Sequence, residues 1–254
     1  MTDLATQLWN ARRLGHTISA TRADLPKTRE EAYALQEAIV ALSGMARCGY
    51  KVGSTSKEAQ RMLGTDEPGA GVLLCPFVFE SPAHIALVPD HMPAVEGEFA
   101  FRMGRDLPPR SAPYTTGEIT DAIDALAGSI EVVGTRFAGG LSGKGRLLTT
   151  ADGGVNVALV TGAWTKYREQ DLRAHAVTMT INCVAKGAGT GSRALGNPLD
   201  VLVWLVNHLS ARRLGLRSGE IVSTGTCTGL DAVNPGDVAC ADFGVLGKVE
   251  IAFV

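Results

Sequence analysis

Apolar residues recur along this chain with two different periods. Leu4, Leu8, Ala11 and Leu14 fall on one face of a helix at the start, and "TREEAYALQEAIVALSG" (28–44) repeats the pattern with Ala32, Leu35, Ile39 and Leu42. Thr28 and Glu31 have capping-box spacing and Gly44 can stop the helix, so roughly the first 47 residues are expected to be helical. From about residue 70 the pattern shortens to β-rich runs bounded by Gly, Pro, Asn or Asp: "AVEGEFAF" (94–101), "GSIEVVG" (128–134), "VNVALVTG" (155–162), "AVTMTINCV" (176–184), "GEIVSTG" (219–225), "GDVACADF" (236–243) and "GKVEIAFV" (247–254). Two helices are expected among them. One spans roughly 117–127, with Thr115 and Glu118 at capping-box spacing and Ile119, Ala122, Ile123 and Leu126 inward; the other is "NPLDVLVWLVNHLSARRLG" (197–215), with Asn197 as N-cap and Pro198 in the first turn. Strands without regular βα alternation predict an α+β fold with a mixed, largely antiparallel sheet. Between the two regimes, Gly49, Gly53, Gly64, Gly69 and Gly71 predict a tight loop with exposed backbone N–H groups.

Length and composition exclude several classes. At 254 residues and 45% hydrophobic content the chain has ample material for one core. A net charge of -2, with Lys and Arg dispersed, leaves no nucleic-acid footprint; the densest basic spot, "ARRLGLR" (211–217), reads as a solvated helix end. No run approaches the roughly 18 to 20 apolar residues of a membrane span, and the amphipathic start has no signal-type apolar core, so no membrane partner is expected. Five cysteines, at 48, 75, 183, 227 and 240, form no CxxC and are odd in number, which argues against a disulfide framework and a thiolate zinc site and for a cytoplasmic protein.

The candidate chemistry starts at "VEGEFAF" (95–101). In a strand, Val95, Gly97, Phe99 and Phe101 share one face, and Glu96, Glu98 and Ala100 the other. Two carboxylates that close repel unless a cation lies between them. An edge strand with a wet polar face would show the same spacing. Glu131, the one charge in "GSIEVVG", can join them from a neighbouring strand. Carboxylates with no His or Cys nearby select a hard ion, Mg²⁺ or Mn²⁺, over zinc. Lys51, in "GYKVG", is a candidate for catalysis or anion binding, although a lysine whose stem packs while its ammonium reaches water is the commoner arrangement. "STGTCTGL" (223–230) offers backbone amides and Thr226 to an anion, or is simply a turn.

Taken in order, "YKVGSTS", "DEPGAGVL", "VEGEFAFRMGRDL", "IEVVGTRF", "STGTCTGL" and "NPGDVACADFGVLGKVEIAF" resemble the fumarylacetoacetase superfamily, and with "REEAYALQEAI" its 2-keto-4-pentenoate hydratase and 4-oxalocrotonate decarboxylase branch. The resemblance implies a mixed β-roll over 51–254 behind an N-terminal helical segment, 1–50. It implies Mg²⁺, with Mn²⁺ as the alternative, on Glu96, Glu98 and Glu131, and Lys51 in the active site. The substrate would be a small 2-oxo acid from aromatic-compound catabolism: a 2-hydroxy-2,4-dienoate hydrated to a 4-hydroxy-2-oxo acid, or a vinylogous β-keto acid that loses CO₂. Gly53, Gly69 and Thr226 would line the substrate. The protein is expected to form a homo-oligomer, with association to a related decarboxylase or hydratase as a further possibility, in which a non-catalytic partner subunit is a third reading. One position departs from the pattern: many hydratases of the branch have an acid–base aspartate where "DEPGAG" has Gly69, leaving Asp66 or Glu67 as substitutes. His16 sits in no motif of the related C–C hydrolases.

Overall fold

The computed structural model describes residues 2–21 and 24–254. Helix α1 (Thr2–Leu14) buries Leu4, Leu8 and Ala11, whereas Leu14, at its C-terminal end, is 68% exposed and leaves the expected stripe. Helix α2 (Arg29–Ser43) begins where Thr28 Oγ1 accepts the Glu31 amide and ends at Gly44, whose φ of 65° is left-handed. Its buried side is Ala32, Tyr33, Leu35 and Gln36, while Leu42 is exposed. Gln36 turns that face inward, because its amide donates to Ala70 O and Thr150 O and accepts the Val72 amide. The two helices pack together and form, with Phe137 and Ala151, an apolar cluster apart from the main core.

Strand β1 (Arg47–Gly53), helix α3 (Lys57–Leu63) and strand β2 (Gly69–Leu74) stand where a glycine loop was expected. The glycines serve close approach instead. A Cβ at Gly49 would lie 1.9 Å from Ile221 O, so only glycine lets that backbone come alongside. The chain continues through β3 (Val78–Glu80), β4 (Ala83–Ile85), β5 (Ala94–Met103), α4 (Thr116–Thr120), β6 (Ile123–Val133), α5 (Gly145–Ala151), β7 (Asn156–Thr161) and β8 (Thr165–Lys166). It ends with β9 (Ala176–Ile181), β10 (Val184–Thr190), α6 (Pro198–Ala211), β11 (Ile221–Thr226), β12 (Asp231–Ala232), β13 (Val238–Asp242) and β14 (Lys248–Phe253). Asn197 and Pro198 start α6 as expected.

The helix expected over 117–127 is corrected beyond its first turn. Thr115 and Glu118 do close a capping box, but from Ile123 the chain is extended and pairs with β5 from Met103↔Ile123 to Ala94↔Val133. Ala125, Leu126 and Ala127 favour helix locally, and the long ladder with burial on both faces overrides that preference.

Two sheets result. A nine-stranded one runs β2-β1-β11-β5-β6-β7-β3, with β12 also on β5 and β8 on β6; a five-stranded one runs β10-β9-β13-β14-β4. Pairing is antiparallel except at β1/β11, β3/β7 and β4/β14. The core lies between the sheets, where Phe99 meets Phe243 edge-on at 5.5 Å beside Val177, Met179 and Ile251. Cys48 and Cys75 form a disulfide, correcting the expectation drawn from the odd cysteine count: pairing of β1 with β2 sets their Cα atoms 4.9 Å apart, within bridging range. Cys183, Cys227 and Cys240 are free. No helix among the described residues is long and apolar enough to cross a membrane.

Gly128 of β6 lies under Phe243, whose ring would be 2.3 Å from an added Cβ. Gly128→Ala should therefore lower unfolding stability by about 1–3 kcal/mol through overpacking. A urea midpoint equal to wild type would show that the ring moves aside freely.

Candidate active site

Register brings the carboxylates together. Glu96 of β5 lies directly opposite Glu131 of β6, and Glu98 follows two residues along on the same face. One oxygen from each of the three lies within 4.8 Å of the others. Glu98 and Glu131 are buried and Glu96 is half-buried. The alternation expected of β5 holds, with Phe99 in the core and the glutamates on the opposite face.

Neighbouring strands supply the cation and the donors. Lys51 of β1 places Nζ 3.0 Å from Glu131 Oε2, both side chains buried. Ser223 of β11, the parallel partner of Lys51, donates Oγ–H to Glu98 Oε2 at 2.5 Å, and the Gly225 amide donates to the same oxygen at 2.9 Å. Asn156 of β7 donates Nδ2–H to Glu131 Oε1 at 2.9 Å. Glu98 Oε1 is buried and meets no donor among the described residues.

Charge in this site is unbalanced. Burial pushes Glu96 up to about 7, against the pull of Lys51 and with the push of Glu131. Glu98 is driven well above the usual carboxylate range by burial first, then by Glu131 and Glu96. Burial works to lower Lys51, but the attraction of Glu131, Glu98 and Glu96 outweighs it, and the ammonium is held above its ordinary value. Three carboxylate ligands around one point, with Glu98 Oε1 lacking a donor among the described residues and Glu131 Oε2 meeting only the Lys51 ammonium, fit a hard divalent cation.

The remaining expected residues are placed differently. Gly53 lies beside Lys51 Nζ, which would be 3.2 Å from an added Cβ, and Gly69 pairs directly with Gly53. The Thr226 hydroxyl closes the following turn, donating to Gly229 O at 3.0 Å and accepting the Gly229 amide at 2.8 Å. Asp66 and Glu67 do not join the cluster: their carboxylates pair with Arg29 at 2.9 and 2.8 Å, and the Asp66 side chain is 90% exposed. Ser223 and Asn156 went unnoticed in the sequence. Asn156 left a faint signal as the one amide inside the apolar run "VNVALV", and Ser223 none beyond its small-residue loop.

The fold and site can now be set beside known proteins. The model of the Fumarylacetoacetate (FAA) hydrolase C-terminal family matches residues 52–254. The chain belongs to that family. The 2-keto-4-pentenoate hydratase of Paraburkholderia xenovorans (strain LB400) is 31% identical, over 99% of this chain and 94% of its own. The TodF product hydratase of Pseudomonas putida is 32% identical, over 98% of this chain and 93% of its own. Among solved structures, 4-oxalocrotonate decarboxylase from Pseudomonas putida G7, complexed with magnesium and adipate, is similar with a TM-score of 0.91 at 27% identity, covering 100% of this chain and 97% of that one. The branch that the motifs resemble is the branch these relatives occupy.

The raised Glu96 value has a consequence for stability. Without a divalent cation its pKa rises from 4.5 in the open chain to about 7 in the fold, so the folded state binds the extra proton. That contribution is complete below about pH 4.5 and is lost as pH rises through about 7. Chelator-treated protein should have a higher urea midpoint at pH 5 than at pH 8, and Glu96→Gln should shrink the gap. A gap that the variant leaves unchanged would assign the effect to other groups.

Proposed function

We propose that this chain is a lyase: a hydratase that adds water to a 2-hydroxy-2,4-dienoate, as its 2-oxo-4-enoate tautomer, to give a 4-hydroxy-2-oxo acid. Mg²⁺, with Mn²⁺ as the alternative, is held by Glu96, Glu98 and Glu131. The observation that carries this reading is the buried trio of carboxylates with Lys51 beside it. Relatives named as hydratases of such dienoates support the reaction, and the magnesium of the decarboxylase complex supports the ion. When bound, the cation supplies Lewis acidity toward the C1 carboxylate and C2 oxygen of a 2-oxo acid.

The chain's own groups supply the rest. Lys51, held protonated by its neighbours, is placed to donate the proton that converts the dienol to its keto form. Gly53 beside it leaves the approach to Nζ clear. Ser223, the Gly225 amide and Asn156 hold Glu98 and Glu131 at fixed angles, the task such outer contacts perform around metal ligands.

One observation favours a decarboxylase as the second reading. Position 69 is glycine, and Asp66 and Glu67 are engaged by Arg29, so none of these three positions holds a carboxylate ready to activate water. Loss of CO₂ needs no activated water: the electrons of the broken C–C bond move to the C2 oxygen as a dienolate, to which Lys51 can then deliver a proton.

The ultraviolet dienol bands of 2-hydroxypenta-2,4-dienoate and of the 4-oxalocrotonate dienol, followed with Mg²⁺ and with EDTA, separate these outcomes. Metal-dependent loss of the first, yielding 4-hydroxy-2-oxopentanoate, is expected. Turnover of the second alone, with CO₂ release, makes the protein a decarboxylase, and silence on both refutes each.

Two sets of variants test the assigned roles. Glu98→Gln and Glu131→Gln should each weaken Mn²⁺ binding, read by calorimetry, by more than about 10-fold. Lys51→Met should keep Mn²⁺ binding while lowering turnover by about 10²- to 10⁴-fold. Wild-type binding in both glutamine variants would remove the metal assignment, and full turnover in Lys51→Met would remove the proton donor.

A further inference from the structure

Strands β1 and β2 set four residues on the face that carries the carboxylates. Lys51 lies opposite Gly71 and Gly53 opposite Gly69, and paired positions of an antiparallel ladder project to the same side. Three of these four positions are glycine, and each is covered differently. A side chain at Gly71 would strike Gly153 O at 2.5 Å. At Gly53 an added Cβ meets only Lys51 Nζ within 4 Å, so the protein leaves room above it. At Gly69 an added Cβ would lie 2.2 Å from Arg146 Nη1 and 2.7 Å from its Cζ. The guanidinium of Arg146 therefore occupies the place into which a side chain at 69 would project.

Arg146, in the first turn of α5, is poorly supplied with acceptors. Nη2 donates to Glu67 O at 2.8 Å, Nε is buried without a partner, and Nη1 meets no acceptor among the described residues. The Glu67 carboxylate is turned to Arg29 at 2.8 Å, so Arg146 has no carboxylate of its own. A half-buried guanidinium whose Nε is buried without a partner and whose Nη1 donates to no described residue can bind an anion, and its fork matches a carboxylate. It stands over β2, on the face where Lys51 and the glutamates stand, with the space above Gly53 between them.

We propose that Arg146 is a specificity-determining residue that binds a second carboxylate at the far end of the substrate, so that this site prefers 2-oxo dioic acids to 2-oxo monoacids. The inference rests on the reaction class proposed above and names the substrate within it. A monoacid would bury its apolar end against an unpaired guanidinium, whereas a dioic acid satisfies Arg146 at one end while its 2-oxo acid end faces the glutamates. Glycine at 69 is the condition for this arrangement, since any side chain there displaces the guanidinium.

The test uses two saturated probes that cannot be hydrated, 2-oxohexanedioate and 2-oxohexanoate, titrated calorimetrically into the Mg²⁺-loaded full chain. The wild type should bind the dioate about 10- to 100-fold more tightly, the range of one or two hydrogen bonds to charged groups. Arg146→Gln should erase that preference by weakening dioate binding about 10-fold or more, with Mn²⁺ binding and far-ultraviolet circular dichroism reporting that the variant is folded. Arg146→Lys should retain part of it. Equal affinities in the wild type, or a preference that survives in Arg146→Gln, overturn the role of Arg146 and leave the reaction class standing. Absence of Mg²⁺-dependent binding by either probe overturns the reaction class and the inference with it.

Discussion

Three carboxylates confined within 4.8 Å of one another, with a single lysine against them, set the constraint that the surrounding structure answers. Like charges at that separation repel strongly in a low-dielectric interior, and each carboxylate removed from water carries a desolvation cost of its own. The fold meets this with aimed donors. Ser223 Oγ and the Gly225 amide converge on one oxygen of Glu98, Asn156 on one oxygen of Glu131, and Lys51 on the other. These come from three different strands, so the site exists only when β1, β11, β5, β6 and β7 are assembled in one register. A slip of one residue between β5 and β6 would turn Phe99 toward the polar side and the glutamates into the core.

The support reaches the helical N-terminus through Asn156. Its side chain holds Glu131, while its carbonyl accepts from Arg12 of α1 and from Arg136. Arg136 is held in turn by Asp152, whose oxygens accept from the Arg136 Nε and amide and from Thr135 Oγ1. Arg12 lies 4.0 Å over the Phe77 ring and is lowered to about 9, chiefly by burial and then by Arg136. A helix with no residue in the carboxylate cluster thus restrains one of its members at two removes. Glycine acts on the opposite flank, where Gly71 lets the turn at Gly153 approach β2 and Gly69 admits Arg146.

Much of this was legible from residue order, for identifiable reasons. Period two over 95–101 placed both glutamates on one face, because a buried strand cannot alter its alternation. Helix caps at Thr28, Thr115 and Asn197 announced themselves because capping is local. What escaped depended on distant pairing. The segment 123–127 looks helical to its neighbours and is a strand because of β5, and the glycines of 48–73 look like a loop because their partners, Ile221 O and Gly153 O, are far away in sequence. Arg146 was invisible for the same reason: nothing in "GKGRLLTT" tells that it will lie over Gly69.

The same constraint weighs against a chain that has kept the fold only as a scaffold. Glu98 Oε1 is buried without a donor, an arrangement that costs stability and that a well-packed apolar residue would relieve. A subunit needed only for assembly gains nothing from carrying it, nor from burying Lys51 to offset part of the charge. Glycine at 69 offers the site no carboxylate, yet β11 and β7 aim their donors at the trio. Arg146 occupies the place into which a side chain at 69 would project, so under the proposed specificity a guanidinium stands at the far end of the substrate beside an intact carboxylate cluster. A cluster kept whole beside a separate recognition group is what the proposed specificity requires, and a scaffold requires neither.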